Sequence, residues 1–118
     1  MAAPTVVLHY LTPEGRCPFR EWIDSLGDAA AKHAVLARIN RIRAGTFGDW
    51  KSVGGGVYEL RVDLGPGYRV YFGRGGKTVV VLLTAGDKRS QDADITRARR
   101  YWRDYEARTK RSTGGRRA

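Results

Sequence analysis

Hydrophobic positions along this chain recur first at spacings of three and four and later at spacings of two, and that switch divides it. TVVLHY, residues 5–10, is β-branched and apolar and predicts a short first strand, broken by Thr12-Pro13 and Gly15. Pro18 suits a first helical position. Phe19, Trp22, Ile23 and Leu26 follow at helical spacing, so one apolar stripe covers a short helix that Gly27 ends. Asp28 can cap a second helix running to about Arg43, with Ala31, Val35, Ile39 and Ile42 as its buried stripe and Gly45 as its stop. The two make an αα-hairpin whose other faces carry Lys32, Arg38, Arg41 and Arg43, a pattern more common in plain solvated surface than in binding sites.

Glycines punctuate the second half, and runs of strand length lie between them at 57–63, 68–74 and 78–85. Gly65-Pro66-Gly67 and Gly75-Gly76 are short enough to join neighbours as antiparallel hairpins, so a meander is expected. Period-two geometry puts Tyr58, Leu60, Val62, Tyr68, Val70 and Phe72 on one face and Glu59, Arg61, Asp63, Arg69 and Tyr71 on the other. The apolar face is expected under the helical hairpin, and the charged face is expected to be open. TVVVLLTA is apolar in both registers, which suits a central strand covered on both sides. GDKRSQDAD then brings Lys88 and Arg89 to the sheet's C-terminal edge. Ile95, Ala98, Trp102 and Tyr105 define a final helix with Asp92 or Asp94 near its N-terminus. GDWKSVGGG reads as a Gly-rich loop carrying Trp50 and Lys51, with Gly54-Gly55-Gly56 as a hinge into the next strand. The expected fold is α+β, an antiparallel sheet with an N-terminal helical hairpin on one face and a C-terminal helix.

A chain of 118 residues with 42% hydrophobic content supports one core, so we expect a single domain over 1–107 and a flexible basic tail over 108–118. Its 22 Lys and Arg against 12 Asp and Glu give +10, the electrostatic footprint of a partner rich in phosphate or carboxylate, with nucleic acid the first candidate and an acidic protein the second. The tail holds five of those basic residues and no acidic one, yet the body before it remains net positive. Cys17 is the single cysteine, which excludes an intramolecular disulfide and suits a reducing compartment. MAAPTVVLHY lacks the charge and apolar length of a signal sequence, and VVVLL is far too short to span a bilayer. The expected location is the cytoplasm, with no membrane partner. No metal site and no cofactor motif is found.

GYRVYF followed by VVVLLTAGDKRSQDADITRA, with FREWIDSL and GTFGDWKSVGGGVYELRVDLG upstream, resembles the RelE/ParE toxin superfamily over about residues 5–105. Within it the chain is most similar to the HigB-like or phage-derived "addiction module killer protein" group. The resemblance implies a type II toxin that a cognate antitoxin holds inactive. In the nuclease branch it implies a metal-independent, ribosome-dependent mRNA endonuclease, an mRNA interferase that inhibits translation. It also implies that the antitoxin is a helix-turn-helix protein through which alone the pair contacts DNA, with mRNA and the ribosome as the toxin's own partners.

In that reaction the 2′-hydroxyl attacks the adjacent phosphorus, so a site must move two protons and stabilise a crowded phosphorane. Arginine suits the last task because its planar fork holds two phosphate oxygens. By resemblance Arg69 matches the phosphate-binding arginine of the GYR motif, Arg61 a basic strand residue at the cleavage site, Lys88 and Arg89 a basic cluster after the last strand, and Lys51 an RNA contact. Tyr71, on the Arg61/Arg69 face, is a candidate for proton transfer or base stacking, and Trp50 could stack on a base. One departure bears on the chemistry: KRSQDADITRARR supplies no histidine, nor a tyrosine before Tyr101, and His9 and His33 fall outside the motifs. Two readings of other classes therefore stand beside the nuclease: a ParE-like, non-enzymatic inhibitor of a topoisomerase (gyrase), and a catalytically inactive nucleic-acid or protein binding module.

Overall fold

The helical stripes form as expected in the computed structural model, which describes the backbone of residues 4–117 and the side chains of residues 4–110. After β1 (Val6–His9) come α1 (Pro18–Ser25), opened by Pro18, and α2 (Ala29–Arg43). The Asp28 carboxylate caps α2, accepting from the amides of Ala30 at 2.9 Å and Ala31 at 3.3 Å, which satisfies two of the donors a helix start leaves open. Four further strands follow: β2 (Trp50–Gly54), β3 (Val57–Val62), β4 (Tyr68–Arg74) and β5 (Val79–Asp87). A 3₁₀ turn (Lys88–Ser90) then leads into α3 (Gln91–Arg117).

The sheet is mixed, not wholly antiparallel. Its order is β1-β5-β4-β3-β2, and β1 runs parallel to β5 with Val6 opposite Val79 and His9 opposite Leu82, while the other pairings are antiparallel. β5 is apolar on both faces, as suits an interior strand, and β1 flanks it on the side away from β4. A second difference lies at GDWKSVGGG. Trp50 and Lys51 sit on a strand, and the glycines form a tight β2–β3 hairpin through Gly55 and Gly56, whose φ values of 65° and 83° suit glycine.

The third difference matters most for function. Phe19, Ile23, Val35, Ile39 and Ile42 pack on Leu60, Val62, Val70, Phe72, Val80 and Leu82, the expected core under the hairpin. The opposite face is not open: Val57, Tyr71, Val81 and Leu83 are covered by Ala98 and Trp102 of α3, together with Tyr10. Burying each such aliphatic or aromatic side chain stabilises by about 1.5–3 kcal/mol. Gly73 makes the close approach of α3 possible, since a Cβ there would be driven into the Trp102 ring. The sheet is thus sandwiched between two helical layers. α3 continues as helix across the boundary expected at residue 108. Arg108 donates to Asp104 at 2.6 Å and to the Leu11 carbonyl, whereas the side chains of residues 111–118 lie outside the described residues.

Candidate functional site

Strand register explains why the charged residues converge. Lys51, Glu59, Tyr71 and Thr84 form one rank across β2, β3, β4 and β5, and Arg61, Arg69 and Gly86 form the next rank along. Paired residues share a face, so all of these side chains lie on the α3 side. Gly86 then has a specific task. A Cβ there would collide with the Asp94 carboxylate, which is buried in the first turn of α3 and accepts from Ser90 and from Arg97, each at 2.5 Å. With no side chain at position 86, the start of α3 lies close on the sheet and brings Gln91 over Glu59.

Glu59 is the centre of the arrangement, fully buried at 0% exposure. Its Oε2 accepts from the Tyr71 hydroxyl at 3.1 Å and from Gln91 Nε2 at 2.8 Å. Its Oε1 faces Arg61 Nε and Arg69 Nε, each at 3.7 Å, and Lys51 Nζ at 4.0 Å. Those last distances are ion pairs, longer than hydrogen bonds, and both Oε1 and Arg69 Nε are buried without a hydrogen-bond partner. A lone buried carboxylate would be costly, and Arg61 directly opposite Arg69 would repel it. Together the charges compensate one another.

The two guanidiniums therefore turn their Nε groups toward Glu59. Among the described residues no acceptor bonds their terminal nitrogens. Arg69 Nη1 lies near Gly67, where a Cβ would come within 3.7 Å of it. Here a polar pocket of about 210 Å³ opens, lined by Arg61, Arg69 and Lys88 with Asp63, Tyr68 and the Gly65-Pro66-Gly67 turn. The Lys88 amide donates to the Gly67 carbonyl at 3.0 Å, which ties the end of β5 to that turn. Unsatisfied arginine forks beside a lysine, at the mouth of a recess, suit an anion with several oxygens.

Of the expected site residues, the pocket collects Arg61, Arg69 and Lys88. Tyr71 is not on an open face: it is fully buried beneath α3, and burial, followed by the Glu59 carboxylate, raises its phenol well above the ordinary value. It stays protonated as a donor to Glu59, beyond the reach of a base. Lys51 borders the same cluster from β2 with its side chain half exposed. Arg89 points elsewhere, its guanidinium 2.8 Å from Asp87, whose carboxyl it holds below the usual range. Trp50 leans on Phe47 and Tyr58 with centroid separations of 5.8 and 5.2 Å, at the far edge of the sheet. His9 lies across the molecule, its Nδ1 3.7 Å from Cys17 Sγ. Sequence reasoning missed the roles of Glu59 and Gln91, and also Asp63 as a pocket residue. Among the described residues no cluster of His, Cys, Asp and Glu is placed to hold a metal, and no helix is long and apolar enough to cross a membrane.

Fold and site together define a small basic α+β domain with an arginine-lined polar pocket at one end of its sheet. The chain belongs to the "Phage derived protein Gp49-like (DUF891)" family, whose profile matches residues 21–103. A relative from Haemophilus influenzae, described as an uncharacterized protein, is 47% identical over 81 residues, covering 69% of this chain and 82% of that protein. Residues 21–103, which the family profile matches, include every residue that lines the arginine pocket. No solved structure matches the chain.

Proposed function

We propose that this chain is the toxin of a type II toxin–antitoxin pair with a RelE/ParE-like fold, and that it inhibits translation by cutting mRNA on the ribosome. Membership of a phage-derived family supports the toxin reading. The helical hairpin ahead of a β3–β4–β5 meander supports the fold reading. One observation carries the chemistry: Glu59 engages Arg61 and Arg69 through their Nε groups and leaves their terminal forks for a ligand in the pocket that Lys88 lines.

In this reading the forks grip the non-bridging oxygens of one phosphodiester, and their charge stabilises the phosphorane. The 2′-oxygen forms a bond to phosphorus as the bond to the 5′-oxygen breaks, leaving a 2′,3′-cyclic phosphate and a 5′-hydroxyl. Asp63, the carboxylate that lines the pocket, takes the 2′-hydroxyl proton, and the Lys88 ammonium gives one to the departing oxygen. Glu59 is sealed from substrate and serves as a positioning residue, with Tyr71 and Gln91 fixing its other oxygen. A cognate antitoxin of the helix-turn-helix type completes the proposal, encoded beside this gene.

A second reading, a non-enzymatic inhibitor of a topoisomerase, is favoured by the absence of an imidazole from the pocket and by the burial of Tyr71. Purified protein added to ribosomes programmed with a short mRNA separates the two. The nuclease reading expects cleavage by the native chain and a loss of about a hundredfold or more in Asp63→Asn with ribosome binding retained. Undiminished cleavage by Asp63→Asn removes the assigned base. Intact mRNA together with inhibited DNA supercoiling establishes the second reading.

A further inference from the structure

The two edges of the sheet are built differently. The β2 edge carries Lys51 and is broken by a register shift between Ser52 and Gly54, devices with which natural sheets blunt an edge. The β1 edge has none of them. Its four residues, VVLH, include no lysine, no proline and no bulge, and Val6 and Leu8 are 54% and 39% exposed. Val6 and Tyr10 turn their amides inward, donating to the carbonyls of Thr78 and Leu82. Strand alternation therefore turns the backbone groups of Val7 and His9 outward. Among the described residues no strand pairs with them.

Beside this edge a cleft of about 360 Å³ opens between β1 and the α1–α2 hairpin. Its floor is apolar, with Phe19, Ile23 and Ile39, and its rim carries Arg20, Lys32 and Arg43. Lys32 approaches Asp24 at 3.8 Å and Arg43 bonds the Asn40 amide oxygen, but among the described residues Arg20 and Arg43 have no carboxylate partner. The neighbourhood is electropositive enough to register on His9, whose imidazole is held below its ordinary value by burial and then by Arg20 and Arg43.

We propose that the β1 edge is the docking site for an extended acidic segment of a partner protein. The segment adds to the sheet as a further strand, with acidic side chains over Arg20 and Arg43 and the alternate apolar ones over Val6 and Leu8. Main-chain hydrogen bonds supply affinity in this mode, and the alternating side chains supply selectivity. A second copy of the chain fits worse, because an edge-to-edge pair would bring two Arg20/Arg43 rims together in a protein of charge +10. RNA fits worse too, since it has no amide ladder to extend the strand. The inference rests on the sheet edge alone and is independent of the chemistry in the Arg61–Arg69 pocket.

The probe is a short, capped, fluorescently labelled peptide alternating valine and glutamate, titrated into the full chain and read by anisotropy. We expect saturable binding, no binding of the valine–lysine counterpart, and loss when alternate amides on one edge of the peptide are N-methylated. Arg20→Glu with Arg43→Glu, both exposed and so without cost to the core, should weaken binding by about tenfold or more. Lys88→Glu, at the other site, should leave it unchanged. The proposal is overturned if the glutamate peptide fails to bind, or binds equally after charge reversal at Arg20 and Arg43 or after N-methylation. A self-associating chain whose dimer is lost in Val7→Pro would overturn it in favour of a second copy.

Discussion

Replacing Glu59 by glutamine removes one negative charge and almost no volume, and the structure sets the size of the consequence. At an effective dielectric near 20, a unit pair at 3.7 Å is worth about 4.5 kcal/mol before desolvation, and Glu59 makes two such pairs, with Arg61 and Arg69. The Arg61 contribution is reduced by solvent, since its side chain is 41% exposed, and so is that of Lys51 at 51%. Arg69, at 12%, has little water to replace the lost partner, and its Nε has no other acceptor. Breaking one side of a buried pair costs about 3–5 kcal/mol, and glutamine can still accept from Tyr71 and Gln91, so we expect the loss to fall in that range. For 118 residues the unfolding entropy near the midpoint is about 0.25 kcal/mol/K, so Tm should drop by about 12–20 °C. The assay is thermal unfolding followed by circular dichroism, in a cycle with Arg69→Gln. The double variant should lose less than the sum of the singles by about 1.5 kcal/mol or more. A Tm shift in Glu59→Gln below about 3 °C, or additive losses in the cycle, would refute the idea that Glu59 compensates the buried arginine.

Other expectations follow from single contacts. Tyr10 donates to Asp104 at 2.7 Å, and burial with that carboxylate pushes its phenol up to about 12, above the unfolded value near 10; stability from this group is complete below pH about 10 and is lost as pH rises toward 12. Melts across that interval should show Tm falling, less steeply in Tyr10→Phe, and equal slopes in the two proteins would contradict the assignment. Gly73→Ala should cost about 1–3 kcal/mol and shift Trp fluorescence, because the new methyl displaces Trp102; an unchanged melt would mean that α3 is not packed there. Lys88→Ala should weaken RNA binding and lower its salt slope by about one, whereas Arg89→Ala, already occupied by Asp87, should change neither; the reverse ranking would put the anion site elsewhere.

Much of the architecture was legible because local signals agreed with tertiary contacts. Pro18, Asp28 and the stripes of α1 and α2 specify helices whose buried faces are those read from spacing. Gly65-Pro66-Gly67 marks a hairpin in which Arg61 and Arg69 share a face, as alternation requires, and the structure sets them directly opposite one another. The parallel pairing of β1 with β5 joins residues about seventy apart, and no local pattern encodes it. β2 was hidden because WKSVG has one partly buried side chain and ends in glycine. The burial of Glu59 was obscured by its neighbours, since a Glu-x-Arg-x-Asp alternation usually means solvent. A signal did exist in VVVLLT, where a strand apolar in both registers requires cover on both faces, and that cover is what seals Tyr71 and Glu59. Asp63 and Lys88 meet only because the turn after β3 and the end of β5 are adjacent in the folded sheet.

The central claim is that the Arg61–Arg69–Lys88 pocket cuts messenger RNA, and mapping transcript 5′ ends after brief expression tests it most directly. The comparison is between the native chain and Arg69→Lys, which keeps the charge beside Glu59 but loses the planar fork. The account predicts new ends phased to codons in the native sample, carrying 5′-hydroxyls, and their loss in a folded Arg69→Lys protein. Intact transcripts in growth-arrested cells, or the same phased ends from both proteins, would contradict it.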